Sequence, residues 1–122
     1  MTALDPGFSL DTLVRAIEAR DAAAQIPLYA EHAEVQVIDP HHPPRAPMTL
    51  RGKRAIASWI TDICSLNMSH RVVDLVEGGT LVAFTEEGRY RDGGKVLSTS
   101  TAVIEQGRIT RQRVVLVWDD LD

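Results

Sequence analysis

The sequence predicts an α+β domain: about three N-terminal helices packed in a strongly curved, mostly antiparallel sheet. Three observations carry this expectation. Apolar residues recur at helical spacing near the start of the chain and again after Gly52. From His70 onward the period becomes two, over four long runs separated by glycine-bearing turns. Helices followed by a strand meander is the α+β order. Strands carry a fixed twist, so a meander this long curls and turns a concave face toward the helices. A ligand would sit inside that curl.

The elements follow in order. Residues 1–8, with Pro6-Gly7, are expected to be a loose leader, and residues 9–122 a single domain of ordinary size. Leu10, Leu13, Val14 and Ile17 form a helical stripe, with Ser9 or Asp11 able to cap its start. Asp21 before Ala22-Ala23-Ala24 reads as a second helical start. Pro27 interrupts it, because proline lacks the N–H and clashes with the preceding turn. One or two further helical turns are expected through Tyr29 to His32. Glu34 to Ile38 alternates, with Val35 and Val37 on one face, and reads as a half-buried strand. Asp39 to Pro47 holds four prolines and reads as irregular. Gly52 opens a helix with Ile56, Trp59, Ile60 and Ile63 on one side. His70 to Glu77, Leu81 to Arg91, Lys95 to Glu105 and Arg108 to Trp118 read as strands. Gly78-Gly79, Asp92-Gly93-Gly94 and Gln106-Gly107 supply the turns.

Composition narrows the function classes. The 122 residues are 44% hydrophobic and 25% charged, as in ordinary globular proteins. Only 5% are aromatic and the net charge is −4, so no nucleic-acid partner is expected. Cys64 is the one cysteine, which rules out an intrachain disulfide. No stretch approaches the roughly 20 apolar residues of a membrane helix, and the first nine residues lack a signal-peptide pattern. The expectation is a cytoplasmic protein with no membrane partner. No nucleotide loop, nucleophile elbow or metal set is visible, so no cofactor is expected.

Several short segments, in this order and spacing, resemble the nuclear transport factor 2-like superfamily and its SnoaL-like group, which includes polyketide cyclase and ketosteroid isomerase-like proteins. They are Leu28-Tyr29-Ala30-Glu31-His32-Ala33, Ile38-Asp39-Pro40, Leu50-Arg51-Gly52 with Ala55-Ile56, and Gly107-Arg108-Ile109 before the closing strand. The resemblance spans roughly residues 10–119 and implies a cone-shaped α+β barrel with an internal pocket. The superfamily includes isomerases, cyclases, dehydratases, epoxide hydrolases and non-catalytic domains, so the fold alone assigns no reaction. Asp39 matches the proton-shuttling aspartate of the ketosteroid isomerases. Their oxyanion donors match about Leu13 and Thr99 or Ser100, so those donors are missing or replaced by weaker hydroxyls. The Asp-Arg-Asp set of the epoxide hydrolases has no match.

Asp39, His70 and Glu86 are the candidate catalytic residues. Asp39, beside Val37 and Ile38, could have a raised pKa and act as a general base; alternatively Asp-Pro only turns the chain. Histidine as a residue type titrates near neutrality, so His70 could be an acid or base, or a strand-end histidine satisfied by backbone. Glu86 shares a face with Val82, Phe84, Gly88 and Tyr90. It either reaches the cavity and needs a partner, with His70 and Gln112 as candidates, or points to solvent. Adjacent His41 and His42 point in different directions, and no third ligand is seen, so no metal is expected. Tyr29 reads as a core tyrosine bonded to a backbone carbonyl, and Cys64 as a small apolar filler. The inward face of Ser98 to Thr101 stays open.

The resemblance turns Trp59 toward the cavity, and with it Thr110, Gln112, Val114, Leu116 and finally Trp118. Trp59, Tyr90, Gln112, Val114 and Trp118 are accordingly the candidate ligand-binding residues. Arg111, Arg113, Val115 and Val117 then face outward and suit a homodimer interface. Two functions fit. One is a cofactor-independent acid–base enzyme, of isomerase, cyclase or dehydratase type, acting on a small apolar ring compound. The other is a non-catalytic dimeric ligand-binding or accessory domain.

Overall fold

The structure, a computed structural model, describes residues 6–119. Helix α1 spans Leu10–Glu18. Ser9 caps it, its Oγ accepting from the Thr12 N–H at 3.1 Å and satisfying a first-turn donor. Asp21 does the same for α2 (Ala22–Gln25), accepting from the Ala24 N–H at 3.0 Å. Pro27 lies in the following 3-10 turn, Ile26–Leu28, early enough that its missing N–H breaks no bond.

The helical turns expected through Tyr29 to His32 do not form. Strand β1 (Tyr29–Ile38) starts there instead, five residues earlier than the alternation at Glu34 to Ile38 indicates. Tertiary pairing decides it: Tyr29 pairs with Ile109, and burying Tyr29 and Ala33 in the core outweighs local helix propensity. A register shift between Tyr29 and Glu34 hides the strand period from the sequence. Asp39 to Pro47 is irregular apart from an isolated bridge between Asp39 and His42. Met48–Arg51 forms β2, antiparallel to β1, a strand too short to show a period. Gly52, at φ +88°, provides the turn into α3 (Lys53–Ser65).

The meander comprises β3 (Met68–Gly78), β4 (Leu81–Tyr90), β5 (Lys95–Glu105) and β6 (Arg108–Trp118). The sheet order is β2-β1-β6-β5-β4-β3, open at β2 and β3. Every pairing is antiparallel except β1 with β6. Edge strand β3 bulges between Val73 and Val76, with Asp74 at φ 54°. Such bulges bend an edge and discourage pairing with other chains.

Helix residues Leu13, Ile17, Ile56 and Ile60 pack against Val35, Val37, Val82, Phe84, Ile104 and Ile109 of the sheet. Each contributes about 1.5–3 kcal/mol by leaving water. Phe8, which falls in the expected leader, is buried in this core; residues 1–5 lie outside the described residues. Among the described residues no helix is long and apolar enough to cross a membrane.

Candidate functional site

A cavity of about 260 Å³ is lined by α1, α3 and the inner face of the sheet. All eight residues selected from the sequence line it: Asp39, Trp59, His70, Glu86, Tyr90, Gln112, Val114 and Trp118. Leu13, Ile17, Ile60, Phe84, Ile109 and Leu116 make much of the remaining wall apolar.

Strand β4 supplies the floor. Phe84, Glu86, Gly88 and Tyr90 all face inward, which resolves the orientation of Glu86. Across the β3–β4 ladder, His70 sits opposite Gly88 and one diagonal step from Glu86. His70 Nδ1 lies 3.6 Å from Glu86 Oε1, within ion-pair reach but too far for a hydrogen bond. The two side chains are 8% and 23% exposed. His70 Nε2 is a buried nitrogen with no hydrogen-bond partner among the described residues. A Cβ at Gly88 would lie 2.6 Å from Met68 Cε. Glycine there lets the methionine lie over the strand beside the pair.

The β5 alternation, ambiguous in sequence, turns Ser98 and Ser100 inward and leaves Thr99 and Thr101 exposed. Ser100 joins a buried polar chain. The Tyr29 hydroxyl donates to Gln112 Oε1 at 2.5 Å, and Gln112 Nε2 donates to Ser100 Oγ at 3.2 Å. Tyr29 is therefore tied to a side chain, not to the backbone carbonyl expected. Burial pushes its phenol pKa up strongly, and the nearby Glu86 charge adds to the shift, outweighing the bond to Gln112. The phenol stays a protonated donor, and both amide groups of Gln112 are held. Sequence reasoning missed Tyr29 as a cavity residue because the segment before it looks helical.

Asp39 differs from expectation in its chemistry. Its Oδ1 accepts from the backbone N–H of His41 and of His42, each at 2.8 Å, and contacts His42 Nδ1 at 2.9 Å. Burial alone would raise its pKa, but these bonds and the His42 charge together lower it. The raised pKa expected of Asp39 is not found, because its own turn stabilises the charged form. His42 is thus turned onto Asp39, while the His41 ring lies 5.4 Å from that of Trp118. Trp118 and Tyr90 are the most exposed aromatics of the lining, at 37% and 36%.

Thr110, expected on the inward face, is not part of the wall. A register shift between Val103 and Ile104 brings Ile109 inward instead, and the Thr110 hydroxyl donates to Glu105 at 2.7 Å. Cys64 does line the cavity, and burial raises its thiol pKa despite a 3.5 Å contact from Gln25. Among the described residues no three His, Cys, Asp or Glu side chains come together as a metal site.

A sequence profile of the SnoaL-like domain matches residues 10–112. The chain belongs to the SnoaL-like family. It lies within the nuclear transport factor 2-like superfamily, whose cone fold it shares. Solved structures agree on the fold. An NTF2-like protein of unknown function from Mesorhizobium loti superposes with a TM-score of 0.75 at 16% identity, covering 95% of this chain and 98% of that one. A protein classed as ketosteroid isomerase-like, from Kribbella flavida, gives 0.70 at 13% identity over 92% and 76%. One classed as polyketide cyclase-like, from Sinorhizobium meliloti, gives 0.65 at 20% identity over 86% and 91%. No curated protein matches the sequence. This SnoaL-like cavity carries apolar Leu13 on α1 and draws its buried phenol from β1, through Tyr29.

Proposed function

We propose that this SnoaL-like protein is a cofactor-independent acid–base enzyme, of isomerase, cyclase or dehydratase type, acting on a small apolar ring compound. The observation that carries this reading is the His70–Glu86 pair, 3.6 Å apart in a mostly apolar cavity. His70 takes a proton from the ligand and returns it elsewhere on the molecule. Glu86 stabilises the imidazolium formed in between, and a low-dielectric wall strengthens that interaction. Gln112, held by Tyr29 and Ser100, keeps one N–H for a developing oxyanion, with Tyr90 beside the same space. Asp39 is the auxiliary carboxylate, its Oδ1 engaged by its own turn. Trp59, Val114 and Trp118 hold the ring.

The test is deuterium exchange at carbons beside the carbonyl of a panel of cyclic ketones, followed by NMR in D2O. His70→Gln and Glu86→Gln should each slow exchange on the order of 10²-fold, a size expected for a positioned acid–base group. Exchange no faster than in buffer, across the panel, would sink the catalytic reading.

The second reading, a non-catalytic dimeric binding domain, is favoured by the lowered pKa of Asp39. Under either reading we propose a homodimer through the convex sheet face. Leu97, Val115 and Val117 are exposed there at 48%, 46% and 55%, and Leu97 pairs with Val117 across β5–β6. An apolar cluster of this kind marks an association surface. Val117→Glu should convert dimer to monomer in analytical ultracentrifugation. A cytoplasmic location is proposed on the sequence composition alone.

A further inference from the structure

We infer that the molecule taken by the cavity carries a protonated amine, seated against Glu86 among aromatic faces. This rests on the reading of the cavity as a ligand site, not on the reaction that follows. The charges of the wall favour a cation. Asp39 and Glu86 line the cavity and, among the described residues, no lysine or arginine does. Arg20 reaches only the back of the wall, where its Nη1 donates to the Leu66 carbonyl at 2.8 Å. The chain as a whole is also acidic, at −4, which draws cations toward it.

The two carboxylates are not equally in need of a partner. Asp39 is surrounded by the donors of its own turn. Glu86 receives no hydrogen bond among the described residues, and its closest ionic neighbour is His70 at 3.6 Å. A carboxylate largely withdrawn from water is stabilised by a donor, and here the ligand is in a position to bring one.

The aromatic residues are distributed to match. Of the chain's two tryptophans, two tyrosines and two phenylalanines, every one but Phe8 lines this cavity. Phe84 and Tyr90 lie on the same face of β4 as Glu86. Ring faces attract ammonium groups, most strongly where water is excluded. A protonated amine on an apolar ring meets both the carboxylate and the rings. A carboxylate or phosphate of the same shape has to face the Asp39 and Glu86 charges instead, which disfavours it.

Trp59 and Trp118 are the only tryptophans and both line the cavity, so intrinsic fluorescence reports binding. Three probes share one ring and differ in the head group: phenethylammonium, phenethyl alcohol and phenylpropionate. The ammonium should bind at least about ten-fold more tightly than the alcohol, with the carboxylate weakest. Glu86→Gln should bring the ammonium down to the affinity of the alcohol and leave the alcohol within about two-fold of its wild-type value. The wild-type ranking stands without any variant, so a misfolded Glu86→Gln protein does not remove the test. Equal binding of ammonium and alcohol, or tightest binding of the carboxylate, overturns the amine inference alone. No response to any of the three overturns it together with the reading of the cavity as a ligand site.

Discussion

Asp39 and Glu86 are two carboxylates on one cavity, in opposite local environments. Asp39 ends β1 in a turn whose backbone points two N–H groups at its Oδ1, with the His42 ring beside them. Glu86 stands mid-strand in β4, paired on one side with β3 and on the other with β5, and faces the cavity with an imidazole 3.6 Å away. The first is built to stay charged and hold a loop. The second receives no hydrogen bond among the described residues. A carboxylate's position in a pocket therefore does not identify it as a base; the donors around it do.

Stability measurements can break or sharpen this contrast. The largest effect is expected for Asp39→Ala. It removes the acceptor of the His41 N–H and of the His42 ring, while the His42 N–H keeps the Asp39 carbonyl, and should cost about 2 kcal/mol in urea unfolding. Tyr29→Phe comes next, at about 1–2 kcal/mol, because it leaves Gln112 Oε1 buried without its donor.

Asp39→Asn keeps the shape and removes the charge. The folded-state pKa of Asp39 is lowered, so its contribution is fully present above the unfolded value near 4 and is lost as pH falls through the folded value. The stability gap between wild type and Asp39→Asn should therefore be widest near neutral pH and narrow steadily below about pH 4. A gap that widens on acidification would contradict the assigned direction.

The smallest effect is expected for Glu86→Gln. It removes a charge that no hydrogen bond supports and should move stability by no more than about 0.5 kcal/mol in either direction. If Glu86→Gln destabilises the fold as much as Asp39→Ala does, Glu86 is structural and the contrast fails.

The parts of this molecule legible in sequence are those with an unbroken period. Val82 to Tyr90 alternates cleanly, and Val82 and Phe84 point to its inner face, while the sequence leaves Glu86 open between cavity and solvent. Gln112 and Val114 were reached only through the family resemblance. Thr110 was misplaced because a register shift reverses the alternation before it. Tyr29 was hidden behind an alanine-rich, proline-interrupted stretch whose local preference is helical, while its partner Gln112 is 83 positions away. The state of Asp39 was hidden for a different reason. Its main donors are backbone N–H groups, whose direction depends on dihedral angles that residue identity does not reveal.

The parallel pairing of β1 with β6 has a consequence for how the protein is made. It joins strands far apart in the chain, and such non-local closure slows folding. During synthesis β1 has only the short β2 beside it until β6 has left the ribosome. The helices and the meander can assemble locally by then, but the polar wall cannot. Tyr29 can meet Gln112 only once β6 has been made, so this polar part of the cavity wall is among the last that the chain can complete.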